Sequence, residues 1–91
     1  MNNVYTQEVL EVLIRIITDQ DAYDDKIIKN VYDILLKFSE NHVAVYDLSD
    51  YIIKRMFIPI IKSSFSIKLD NIILPLNIAA NIITNLLDDD K

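Results

Sequence analysis

The sequence has no glycine, no cysteine, no tryptophan and two prolines. Without glycine, the tight hairpin turns that need left-handed backbone have no natural occupant, which argues against a sheet-rich fold. The lack of cysteine removes disulfides, thiolate metal centres and thiol nucleophiles, and fits a reducing compartment. One histidine, His42, leaves little for proton-transfer chemistry. Met1, Asn2, Asn3, Val4 and Tyr5 lack the basic region and apolar stretch of an export signal, so a cytoplasmic location is expected.

What is present is apolar mass: 52% of the 91 residues are hydrophobic and 17 are isoleucine. That length predicts one domain over residues 1–91, with 88–91 as a solvated tail. Isoleucine suits strands, yet the apolar positions recur every three or four residues, and that period predicts an all-α fold. The first helix is expected over residues 5–18, burying Val9, Leu13, Ile16 and Ile17 flanked by Leu10 and Ile14. The second is expected over 24–39, burying Ile27, Ile28, Val31, Ile34, Leu35 and Phe38, with Asp24 and Asp25 at its positive end.

A third helix should begin after Asp47 as N-cap, with Asp50 three residues on, and present Leu48, Tyr51, Ile52 and Met56. At Pro59 it either kinks or stops and restarts, reaching residue 64. Asp70 resembles an N-cap, but Pro75 moves the regular start of the fourth helix towards itself, leaving residues 66–74 irregular or extended. Short connections then favour sequential neighbours, an antiparallel up-and-down four-helix bundle. Residues 71–87 are uncharged, at the lower limit for a membrane span, but Asn77, Asn81 and Asn85 fall four apart and give the helix a polar stripe. That pattern predicts an amphipathic helix.

The net charge of −5 is segregated. Residues 1–50 carry −6 and residues 70–91 carry −3, whereas 51–69 hold Lys54, Arg55, Lys62 and Lys68 without an acid. Phe57 and Phe65 are interleaved with these bases. Two readings follow: an ordinary solvated face, or a contact surface for an acidic partner or the inner leaflet of a membrane. Nucleic acid is not expected, because the rest of the chain repels phosphate. The asparagine row reflects either codon composition or a hydrogen-bonding contact face. Together Lys54, Arg55, Phe57, Lys62, Phe65, Lys68, Asn77, Asn81 and Asn85 form the candidate binding set.

No catalytic constellation emerges, so a binding role is expected, without cofactor or metal. His42 falls in an expected loop, and the paired aspartates are explained by helix starts. Asp19, Asp21, Asp24 and Asp25 fail the calcium-loop pattern: counted from Asp19, Tyr23 stands at the fifth position, Asp24 at the glycine position and Asn30 at the glutamate position.

Val9, Leu10, Glu11, Val12 and Leu13 in an opening helix, an acidic turn, and Ile34, Leu35, Leu36, Lys37 and Phe38 closing the second helix form a pattern. It continues with Leu48, Tyr51 and Ile52, then Ile67, Lys68 and Leu69 leading into the last helix. Over residues 8–87 this order resembles the immunity proteins that accompany pediocin-like (class IIa) bacteriocins. The resemblance implies a four-helix bundle in the cytosol, protecting its producer by recognising a bacteriocin together with its membrane receptor. It also implies specificity in the C-terminal half, where the basic segment and the asparagines lie. The chain departs from many such proteins in being acidic. The alternative from another class is a small acidic protein of a phage or mobile element that binds and inhibits a host protein.

Overall fold

The computed structural model describes residues 5–65 and 73–87, and all the regular structure among them is helical. α1 (Gln7–Thr18) opens at Thr6, whose hydroxyl accepts the Val9 N–H at 3.2 Å; Glu8 and Arg15 complement the dipole at its two ends. A short 3-10 turn (Gln20–Ala22) and extended Asp24 lead into α2 (Asp25–Ser39). Next come α3 (His42–Asp47), α4 (Ser49–Tyr51), a π-helical turn (Ile52–Met56) and α5 (Phe57–Ser63). The last three form one continuous segment, 49–63, and α6 (Ile73–Leu87) ends the described chain. Counted as continuous segments, the described helices number five where four were expected.

The additional helix is α3. His42 stands in its first turn instead of a loop, and Asp47 is its last residue instead of a cap. Asn41 caps it, its side-chain oxygen accepting the Ala44 N–H at 3.0 Å, while Ala44 and Val45 are buried beneath. Asparagine and aspartate cap about equally well, so residue type could not rank Asn41 against Asp47; the burial of Ala44 and Val45 decides it. Among the described residues none has positive φ and no peptide bond is cis.

Pro59 lies inside α5. Just before it, the Phe57 N–H donates to the carbonyl of Ile52, five residues back. Pro59 offers no N–H to the Arg55 carbonyl and its ring crowds that turn, so the helix widens there without breaking. Pro75 is the third residue of α6, within the first turn, where backbone N–H groups have no helical partner to lose. The helix therefore starts two residues ahead of it. Of the stretch 66–74 expected to be irregular or extended, Ile73 and Leu74 are helical; the remainder, with the expected cap at Asp70 and the expected tail at 88–91, lies outside the described residues.

α1 packs against α2 and α5, and α6 packs against the same two, so α2 and α5 stand across the core from each other. The Tyr5 ring meets Phe38, with centroids 5.2 Å apart, and Gln20 reaches Tyr32, so α1 and α2 run in opposite directions. Residues near the start of α1 adjoin Asp50 to Arg55 and its end adjoins Ile58 to Ser63, so α1 and the 49–63 segment run the same way. Sequential neighbours were expected throughout. Instead α3, packed on both α2 and α6, carries the chain across to the far side.

The core is built from Leu10, Leu13, Ile14 and Ile17 of α1, Ile28, Val31, Leu35 and Phe38 of α2, Ile52, Met56 and Ile60 of the 49–63 segment, and Ile78 and Ile82 of α6. Val9, Ile27 and Ile34 were expected inside but are exposed, and Ile16 is only partly buried. On both helices the apolar arc is wider than the face that neighbours can cover, and these residues fall at its outer edge. Tyr32 was not expected inside, yet it is fully buried. Its hydroxyl accepts from the Gln20 side-chain amide at 2.8 Å and is also hydrogen-bonded to Ser63. Burial pushes the Tyr32 pKa above its ordinary value, with the Ser63 and Gln20 hydrogen bonds opposing.

α6 differs from the other long helices. It buries Leu74, Pro75, Ile78, Ala79 and Ile82, yet its outer side carries Ile73, Leu76, Ala80, Ile83 and Leu87. The amphipathic helix expected from its asparagines is in fact apolar on two opposite sides. No helix among the described residues is long and apolar enough to cross a membrane.

Candidate functional site

The basic segment projects from the 49–63 helical segment. Lys54, Ile58, Lys62 and Phe65 follow one another at intervals of four, four and three residues, and all four are exposed. Lys54, Ile58 and Lys62 at those spacings share one side of the helical segment, and exposed Phe65 follows in the turn just beyond α5. Phe65 is 86% exposed, an unusual state for a large aromatic side chain. Arg55 and Ile53 lie beside these residues and are exposed as well. Phe57 does not join them; it is half-buried and packs on the core.

Two grooves run between α1 and this segment. The first, about 320 Å³, is lined by Ile17, Thr18, Ile58, Pro59, Lys62 and Ser63. The Thr18 hydroxyl already donates to the Ile14 carbonyl at 2.7 Å and the Ser63 hydroxyl to Ile60 at 2.7 Å, so the walls present mainly hydrocarbon with Lys62 at the rim. The second, about 310 Å³, is lined by Gln7, Glu11, Asp50, Tyr51, Lys54 and Arg55. There Lys54 pairs with Asp50 at 3.2 Å in a highly exposed contact. The Tyr51 pKa is pushed up first by burial and then by the Glu11 charge, with Arg55 pulling the other way.

The asparagines divide. Asn77 is exposed, whereas Asn81 and Asn85 are half-buried and engaged within the chain. Asn81 donates to the Ser39 hydroxyl at 3.2 Å. The Asn85 amide nitrogen donates to the Ser39 carbonyl at 2.6 Å, and its oxygen lies 3.2 Å from the His42 Nδ1, which makes that nitrogen the donor. The Asn85 bond completes the C-terminus of α2, where the Ser39 carbonyl would otherwise lack a partner. The Leu36 and Lys37 carbonyls accept the Glu40 N–H, that of Phe38 accepts Asn41, and that of Ser39 accepts Asn85. Asn81 and Asn85 therefore tie α6 to the α2–α3 junction. Lys68 lies outside the described residues.

Sequence reasoning did not single out Ser39 or Gln20, since their importance depends on partners 42 and 12 residues away along the chain. The outer row of α6 is legible in its spacing, three and four residues apart between the asparagines. Among the described residues no group of three or more His, Asp or Glu side chains converges as a metal site. No family model, no curated protein and no solved structure matches this chain.

Proposed function

We propose that the chain acts by binding a protein partner, as an immunity protein of the class IIa bacteriocin type. In this reading the four long helical segments form a bundle-like frame in the cytosol, and the face of residues 54–65 meets the receptor–bacteriocin complex at the inner side of the membrane. The observation that carries the reading is the exposed run of Lys54, Ile58, Lys62 and Phe65 in a chain whose net charge is −5. Interleaved apolar and cationic side chains supply both desolvation and charge recognition for an acidic amphipathic surface. The rigid packing of α1 and α2 serves as scaffold behind it.

Expression in a strain sensitive to class IIa peptides is the direct test, with survival expected to rise against at least one peptide of a broad panel. Unchanged sensitivity to every peptide would remove the immunity reading. Replacement of Lys54, Arg55 and Lys62 together by Glu should then abolish protection while leaving far-UV circular dichroism unchanged. Protection that survives the replacement would reduce these residues to an ordinary solvated face.

A further inference from the structure

Ile73, Leu76, Ala80, Ile83 and Leu87 are spaced three, four, three and four residues apart, the a/d pattern of a helix that pairs with another helix. In the single chain this row faces outward: Ile73 is 58% exposed, Leu76 45%, Ile83 44% and Leu87 74%. A helix apolar on opposite sides leaves one of them against water unless a partner covers it. The four large side chains expose on the order of 400 Å² per copy, the size of a patch that is often functional on a monomer.

We infer that this row is a self-association surface, covered by α6 of a second copy about a two-fold axis. The argument for a second copy is electrostatic and geometric, and it stands apart from the reading of residues 54–65. α6 carries no charged residue, and the positions flanking the row are the neutral Asn77 and Thr84. The flanks therefore hold no charge that would select a foreign helix or favour an anionic lipid surface. A two-fold pairing needs only a self-complementary patch, and an uncharged 3-4 row meets that need. The row itself, from Ile73 to Leu87, brings no like charge into the seam; Asp88, Asp89 and Asp90 follow it in the sequence and add repulsion only beyond its end. Ala80 lies at the centre of the row and, having the smallest side chain in it, permits the closest approach. Pairing buries roughly 800 Å² in total, within the range of weak and reversible association.

Sedimentation equilibrium of the full chain between ~10 µM and ~1 mM, a span suited to such an interface, should give an average mass rising from one chain towards two. Raising the salt concentration should strengthen the dimer by screening like charge. Leu76→Glu combined with Ile83→Glu, both at exposed positions, should hold the chain monomeric with its helicity intact. Because the native chain has no cysteine, Ala80→Cys with a flexible bismaleimide should yield a covalent dimer, whereas Asp33→Cys on the exposed side of α2 should not. A native chain that is monomeric throughout overturns the inference. So does one that stays monomeric and co-sediments with neutral phosphatidylcholine vesicles, which would give the row a lipid occupant. If the double variant is still helical and still dimerises, the interface lies elsewhere and the inference fails.

Discussion

Replacing Asn85 with Ala tests whether α6 fastens the end of α2. The Asn85 amide donates to the Ser39 carbonyl at 2.6 Å, and Ser39 is fully buried. Truncation leaves that carbonyl without a donor, at a cost of about 1–3 kcal/mol. It also removes the contact to His42, which is exposed and worth less. Against this, alanine is the better helix former by about 0.6 kcal/mol. Asn77→Ala, at an exposed position in the same helix, isolates the propensity gain. The difference between the two variants should be about 2 kcal/mol. With a urea m-value of about 1 kcal/mol/M, that separates their unfolding midpoints by about 2 M. Urea titration followed by far-UV circular dichroism measures it. A difference below about 0.5 kcal/mol, the usual scatter of surface substitutions, would refute the assigned role of Asn85.

Alkaline pH should destabilise the fold through Tyr32. The unfolded side chain ionises around its ordinary value of 10.0, while the buried folded one, with its raised pKa, keeps its proton. The folded state then binds more protons, so this contribution is intact below pH 10.0 and is lost as pH rises from there through the folded value. Tyr32→Phe should flatten the decline, as measured by thermal unfolding at stepped pH; an unchanged slope would count against the assignment. Asp50→Asn should change stability by less than about 0.5 kcal/mol, because the Lys54 pair is exposed and screened. A larger loss in urea would mean that the pair positions α4.

α1 and α2 were readable because their apolar spacing follows the 3.6-residue period over twelve and fifteen positions, whereas α6 showed as an uncharged run with asparagines four apart. α3 was not readable, since six residues give too few turns for a period to emerge and its cap competed with Asp47. Which edge of the α2 arc lay inside was also hidden: Ile27 and Val31 are chemically alike, and only the placement of the neighbours that pack on α2, namely α1, α3 and α6, separates them. On the candidate surface, the lack of acids along 51–69 was visible as local composition, whereas the approach of Asp50 to Lys54 and of Glu11 to the groove that Arg55 lines depends on the fold. The use of Asn81 and Asn85 was not, because a helix end 42 to 46 residues away decides it.

The backbone of the described residues never enters the left-handed region. Each junction is therefore made from conformations open to any L-amino acid; Thr6 and Asn41 fix theirs with a side-chain bond, while Asp24 and Leu48 make no such cap bond. Several residue types can supply such a bond with similar strength. Glycines frozen in place by turn geometry are common landmarks by which distant sequences are aligned, and this fold requires none in its described junctions. Descendants of such a chain can exchange caps and aliphatic side chains freely while keeping the architecture, so kinship among them fades from sequence sooner than it fades from shape.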